Sequence, residues 1–232
     1  MEFIAEIGLN HNGSEGLLVE MIRQASLSGA TKAKFQLGWR DKVGEINYFD
    51  ENKLRIVLKA CEFYKITPLF SIFHKDAWKL LQSVSRPKVV KIASRTYLHE
   101  KNLVNEISNE VEEIIISTGM SNKALINFDE INNATFLWCQ SEYPHYTFNI
   151  KDFPKSFSVD NFRGLSDHSL GLSLSFLAIS RGAQIIERHF TLDKSDQTIR
   201  DHALSSTPEE FSLLVKEGLA LCDLVKTLNI NE

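Results

Sequence analysis

Residues 183–193 read AQIIERHFTLD. The stretch begins as a buried strand: Gln184, Ile185 and Ile186 follow a helical run that ends at Gly182 and Ala183. Glu187, Arg188 and His189 then arrive before the apolar pattern is complete. Side chains alternate along a strand, so Glu187 and His189 point the same way. A carboxylate and an imidazole sharing one face at the end of a buried strand are costly unless they pair or bind something. One reading is a satisfied polar pair capping a core. The other is a functional site, and nearly every other strand in the chain ends on the same kind of anomaly.

Working outward, short apolar runs alternate with helical patterns. Residues 3–7, 33–36, 67–72, 89–93, 113–117, 135–139, 164–166 and 183–190 are strand-like. Residues 15–28, 51–64, 75–82, 99–108, 122–131 and 170–181 are helical, and 146–159 is an irregular connection. A closing helix is expected over 208–226, with Ser206 and Thr207 as cap and Pro208 in its first turn. Strand–helix alternation implies parallel strands with right-handed crossovers. Eight strands with about eight helices in this length give an α/β fold, a (β/α)8 TIM barrel rather than an open sheet. No GxGxxG and no GxxxxGK[ST] occurs, so dinucleotide and P-loop sites are weak readings.

The chain has 232 residues, 43% of them hydrophobic, which suffices for one core and a single domain spanning 1–232. Its formal charge of -4, without long blocks of like charge, argues against nucleic-acid or membrane partners. No basic leader and no apolar run of spanning length is present. Cys61, Cys139 and Cys222 are too widely spaced for a CxxC site, which fits free thiols in a reducing cytoplasm.

A barrel of this kind carries its active site where the strands end. Those ends read Glu6; Lys34 and Gln36; Ser71; Lys91 and Ser94; Ser117, Thr118 and Gly119; Gln140 and Ser141; Ser166, Asp167 and His168; Glu187 and His189. Lys34 and Lys91 lie in apolar strands and need counter-ions. Pairing with Glu6 or Glu187 is one answer. A dianionic ligand such as phosphate is the favoured one, with Ser94, Ser117, Thr118 and backbone N–H groups near Gly119 as donors. A Schiff-base lysine is a third reading. His168 and His189 end consecutive strands and are candidate metal ligands, with Glu187 and Asp201 as oxygen donors or their supports. Mixed N/O ligation suits Mn²⁺, Fe²⁺, Co²⁺ or Zn²⁺, and no cysteine is expected in reach. His11 sits in a turn, and Trp138, Trp78 and Phe35 read as packing.

Taken together, AEIGLNHNGS, AKFQ, VVKIAS, ISTGM, CQSEYP, LSDHSLG and IIERHFTLD, in this order, resemble the sialic acid synthase (N-acetylneuraminate synthase, NeuB-like) family. The resemblance runs from Phe3 to about Lys216. It implies a TIM barrel that condenses phosphoenolpyruvate with an N-acylated sugar aldehyde to a 2-keto-3-deoxy acid, releasing phosphate. It further implies that Lys34, Lys91, Ser94, Ser117 and Ser166 hold phosphoenolpyruvate, with Ser71 beside them. His168 and His189 would bind Mn²⁺, or Mg²⁺ or Co²⁺. Glu6, Gln36, Ser141, Tyr143, Glu187 and Asp201 would surround the aldehyde and the attacking water.

The departures fall on the sugar side. The family's usual C-terminal antifreeze-like domain is not expected in this chain, so a second copy or a separate lid protein would complete the site. The loop 37–52 is shorter than the family's. SIFH stands where the family has STPF, Thr96 where Glu is common, Ser141 where Asn is common, and Trp138 where His is frequent. The implied enzyme is a cytoplasmic synthase of bacterial nonulosonic acid or surface-polysaccharide synthesis. Two rivals remain: a metal-dependent aldolase or lyase using pyruvate, and a non-catalytic barrel that binds a phosphorylated ligand.

Overall fold

The computed structural model describes residues 1–122, 126–142, 146 and 149–228. Its strands are β1 (Glu2–Glu6), β2 (Lys32–Leu37), β3 (Thr67–Ile72), β4 (Val89–Ile92), β5 (Glu113–Ser117), β6 (Ala134–Cys139), β7 (Phe162–Asp167) and β8 (Ile185–His189). Each pairs in parallel with the next, and β8 returns to β1, closing the barrel. The helices are α1 (Glu15–Leu27), α2 (Glu51–Phe63), α3 (Lys75–Val84), α4 (Ser94–His99), α5 (Lys101–Ser108), α6 (Ser173–Ser180) and α7 (Pro208–Thr227), with a 3₁₀ turn at Arg200–Leu204. Among the described residues, no helix is long and apolar enough to cross a membrane.

Strand alternation makes two separate cores. Outward residues such as Phe3, Ala5, Phe35, Phe70, Val90, Ile116, Phe136 and Ile186 pack beneath the helices. Inward residues Ile4, Leu69, Ile115, Leu137 and Ile185 form an apolar plug inside the barrel, with Val89 packed on it. Each fully buried plug residue contributes roughly 1.5–3 kcal/mol. Two residues further along the same strands stand Glu6, Ser71, Ser117, Cys139, Glu187 and Lys91. The period of two therefore stacks a polar layer directly on the apolar plug.

The helix boundaries follow the capping chemistry. Ser14 accepts from Leu17 N–H to start α1, and Asp50 accepts from Lys53 N–H to start α2. Thr207 forms a capping box with Glu210, and Pro208 opens α7 as the sequence suggests. Two expectations need correction. The helix expected over 99–108 is α5, but a short helix absent from the sequence reading, α4, precedes it, and Glu100 separates the two at φ -120° and ψ 48°. The helix expected over 122–131 falls partly outside the described residues, and 126–131 is not helical. Asn127 accepts from the Asp129 N–H in a local turn instead. Phe128 packs edge-on against Phe136 and Phe162, so this segment covers the barrel without helical periodicity.

Gly164 marks a close approach of β7 and β8. It pairs with Leu137 and Ile185, just past the place where the β6–β7 register shifts. A Cβ there would lie 2.1 Å from the Ile185 carbonyl oxygen, which is backbone and has little room to retreat. Gly164→Ala is predicted to cost about 1–3 kcal/mol or more, read as a lowered urea midpoint. An unchanged midpoint would show that β8 can shift aside.

Candidate active site

A cavity of about 390 Å³ opens at the carboxyl ends of the strands. The structure brings into it Glu6, Lys34, Gln36, Ser71, Lys91, Ser94, Ser117, Ser141, Ser166, His168, Glu187, His189 and Asp201. Of the side chains singled out in the sequence as site candidates, Tyr143 lies outside the described residues.

The floor is a network of buried charge. Lys34 Nζ lies 2.6 Å from Glu187 Oε1 and 3.4 Å from Glu6 Oε2. Lys91 Nζ donates to Ser117 Oγ at 2.6 Å and to the Ile92 carbonyl at 3.2 Å, and sits 4.0 Å from Glu187 Oε1. Ser166 Oγ donates to Glu187 Oε1 at 2.8 Å, and Gln36 Nε2 donates to Glu6 Oε1 at 2.6 Å. The pairing reading and the ligand reading thus coexist, since the lysines have carboxylate partners and still line an open cavity.

Distance separates the members of this network electrostatically. Burial alone would raise Glu187, but Lys34 and Lys91 overrule it and hold the carboxyl at about 2. Glu6 is raised, by burial first and by the charge of Glu187, against the pull of Lys34. Burial works against the Lys34 cation, but Glu187 and Glu6 outweigh it and the group is raised. Lys91, further from Glu187, is pushed by burial down to about 8, with Lys34 adding to the fall. Of the two carboxyl groups on one lysine, Glu187 is therefore held low and Glu6 is raised.

The hydroxyls have defined hydrogen-bond roles. Ser94 Oγ accepts the Gly119 N–H at 2.8 Å, which leaves its proton to donate into the cavity. That contact also engages the Gly119 N–H expected to face a ligand. Gly119 itself permits close approach, since a Cβ there would lie 2.2 Å from Ser141 Oγ and 2.8 Å from Cys139 Sγ.

Above the floor stand two imidazoles, His168 and His189, their ring centroids 5.4 Å apart. Burial pushes His189 down to about 3, so it stays neutral, the form a metal ligand requires. Burial works against the His168 cation, but Cys139 outweighs it and the group is raised, so a divalent ion would have to displace a proton there to take both nitrogens. Among the described residues, no three His, Cys, Asp or Glu side chains already converge as a ligand set. The remaining positions would fall to water and substrate. One expectation is overturned: a cysteine is in reach, with Cys139 Sγ 3.6 Å from His168 Nδ1.

Alternation explains which strand-end residues do not enter the site. Ser117, Ser166 and Glu187 face inward, so Thr118, Asp167 and Arg188 face outward. Thr118 Oγ1 donates to the Leu137 carbonyl at 3.1 Å. Gln140 Nε2 turns to the Asn149 carbonyl at 3.1 Å, and Cys139 takes the inward place. Asp167 and Arg188 are register partners and form a buried ion pair, Nη1 to Oδ2 at 2.5 Å. Ser175 Oγ and Ser169 N–H also donate to Asp167, and Arg188 reaches Ser206 Oγ and the Ser169 carbonyl. This clamp locks β7 to β8 immediately behind His168, Glu187 and His189. The sequence reading also missed Trp39, Phe73, Arg95, Met120 and Arg200, which line the mouth from loops and helix starts without periodic signal.

Comparison with known proteins bears on this geometry. The sequence profile of the NeuB family matches residues 40–227. The N,N'-diacetyllegionaminic acid synthase of Campylobacter jejuni is 32% identical over 250 residues, covering 91% of this chain and 73% of that protein. A pseudaminic acid synthase of Campylobacter jejuni is 28% identical over 258 residues, covering 96% and 72%. The crystal structure of an N-acetylneuraminic acid synthetase from Leptospira borgpetersenii, in complex with citrate, shares the fold. Its TM-score is 0.82 at 24% identity, covering 96% of this chain and 84% of that one.

The clamp supplies the test of how the site is held. Arg188→Met strands the Asp167 charge in the interior and is predicted to cost about 3–5 kcal/mol. Adding Asp167→Asn should restore part of that loss in urea denaturation. Equal costs for the single and double variants would show that the two groups do not act as a pair.

Proposed function

Because the chain belongs to the NeuB family, we propose that it condenses phosphoenolpyruvate with an N-acylmannosamine-like aldose, giving a 2-keto-3-deoxy acid of nonulosonic type and phosphate. The floor network carries this reading. Lys34 and Lys91 are two buried cations beside hydroxyls in an open cavity, the donor set that a phosphate dianion calls for. Such a reaction belongs in the cytoplasm, where phosphoenolpyruvate is made.

In this scheme Lys34 and Lys91 neutralise the phosphate while Ser94, Ser117 and Ser71 orient it. The enol carbon of phosphoenolpyruvate attacks the aldehyde carbon, and the positive charge that develops at C2 is met by water. A proton must leave that water. Glu187, held at about 2, is a weak base, and its part is to fix both lysines. Glu6, with its raised affinity for a proton and its bond to Gln36, is the better acid–base group. The hemiketal phosphate then collapses, the C2–O bond to phosphate breaks, and the keto group forms. His168 and His189 would hold the divalent ion, Mn²⁺ by preference and Mg²⁺ or Co²⁺ as alternatives, which supplies Lewis-acid polarisation of a carbonyl oxygen when bound. Ser166 joins the phosphoenolpyruvate side at the floor, and Gln36, Ser141, Asp201 and Tyr143 complete the surroundings of the aldehyde. A second copy or a separate lid protein would cover the mouth, where Trp39 and Met120 are exposed.

The test is phosphate release from phosphoenolpyruvate with Mn²⁺ across a panel of N-acylated hexosamines and plain aldoses. Sugar-dependent release that a chelator stops supports the synthase, and Lys91→Gln or His189→Ala should then lower it at least about a hundredfold. No binding of phosphoenolpyruvate would overturn the reading. Acidity adds a second prediction. Lys91 is charged below about pH 8 and neutral above it, so affinity for phosphoenolpyruvate should fall as pH rises through 8, by at most about tenfold per unit for one proton. A calorimetric titration at several pH values checks this, and Lys91→Gln should flatten the profile.

A further inference from the structure

We propose that the mouth of the cavity selects an acceptor carrying an anionic group at the end remote from its aldehyde, and that Arg95 reads that group. This deepens the synthase reading and rests on it. The cavity has a clear order of depth. Lys91, Ser166 and Glu187 are buried at its floor, while Arg95, Trp39 and Met120 are exposed at its opening. If the floor holds phosphoenolpyruvate, the aldehyde must face downward to meet the enol carbon. The far end of the acceptor then faces the mouth.

The mouth is built for contact. Trp39 and Phe73 pack as a tilted pair, 34° between planes with ring centroids 5.7 Å apart, and the Arg95 guanidinium lies over Trp39, 5.8 Å from its centroid. The Trp39 backbone is held in place, since Asn47 Nδ2 donates to both the Trp39 and Gln36 carbonyls at 2.8 Å. His74 pins the same loop by its bond to Asp41 at 2.9 Å. Arg95 is flanked by two anchored residues: Ser94 holds the Gly119 N–H, and Thr96 Oγ1 donates to the Ile72 carbonyl. Its backbone is therefore fixed while its guanidinium reaches the opening.

The charges at the mouth do not balance. Arg200 has a carboxylate beside it, Asp201 at 3.3 Å. Among the described residues, Arg95 has no ion-pair partner. The other carboxylates of the cavity, Glu6 and Glu187, are engaged by Lys34 at the floor. An aromatic shelf with a planar guanidinium beside it suits the apolar face of a sugar followed by a phosphate ester or a carboxylate.

The experiment compares N-acetylmannosamine bearing a hydroxyl, a phosphate or a carboxylate at its terminal carbon, with consumption of phosphoenolpyruvate as the readout. The anionic acceptors should exceed the neutral one in kcat/KM by about tenfold, the worth of one charge-assisted hydrogen bond, and the better of the two names the anion. Arg95→Gln should bring that ratio near one, mainly through the acceptor's KM, and Arg95→Lys should restore part of it. An equal or better neutral acceptor would overturn the proposal. So would an Arg95→Gln enzyme that keeps the ratio but binds phosphoenolpyruvate poorly, which would move Arg95 to the donor side. Should no acceptor be turned over, the condensation reading fails on its own. Calorimetric binding of N-acetylmannosamine 6-phosphate with phosphoenolpyruvate present then decides this one: binding about tenfold weaker in Arg95→Gln supports it, and unchanged binding refutes it.

Discussion

The structure turns on a single contact, the ion pair between Lys34 and Glu187 inside the barrel. Two charges removed from water are costly, and only close geometry with further hydrogen bonds offsets that cost. Here Glu187 Oε1 takes Lys34 at 2.6 Å and Ser166 at 2.8 Å. The same carboxylate lies 4.0 Å from Lys91, where burial outweighs its pull. Glu6 is left as the carboxyl whose affinity for a proton is raised. Replacing the network with apolar residues would continue the plug of Ile4, Leu69, Ile115, Leu137 and Ile185 upward and give an ordinary barrel core. The polar layer has no evident purpose in packing, which is why it is read as a ligand site.

Opposite faces of one strand then divide the labour. On β8, Glu187 and His189 face the cavity, while Arg188 faces outward and binds Asp167 of β7. The outward pair is saturated by Ser169, Ser175 and Ser206, so it acts as a rigid fastening. It fixes the β7 and β8 ends that carry His168 and His189. The inner face is thus braced by a buried salt bridge one residue out of phase with it.

Much of this was legible in the sequence, because alternation is a strong signal. The eight strands, the barrel, and the inward places of Lys34, Lys91, Ser117, Ser166 and Glu187 follow from apolar runs interrupted by charge. Where the reading erred, it set alternation aside. Thr118, Gln140 and Asp167 stand out of phase with the inward residues beside them, whereas Cys139 shares the phase of Ser141. The mouth was illegible for a different reason. Trp39, Arg95 and Arg200 sit in loops and helix starts, where no period links position to direction, and only the closed barrel brings them together. The segment after β5 failed because local turn chemistry at Asn127 and the packing of Phe128 won over helical pattern.

The most direct test of the floor as a phosphoenolpyruvate site follows one oxygen atom. Phosphoenolpyruvate labelled with heavy oxygen in its bridging C–O–P position is turned over with an acceptor sugar, and both products are examined by mass spectrometry, the keto acid after reduction. Water addition at C2 with loss of phosphate through C–O cleavage predicts that the label leaves in inorganic phosphate. Label retained in the keto acid would mean that the P–O bond breaks and an enolate of pyruvate is the nucleophile, contradicting the roles given to Glu6 and to the two lysines.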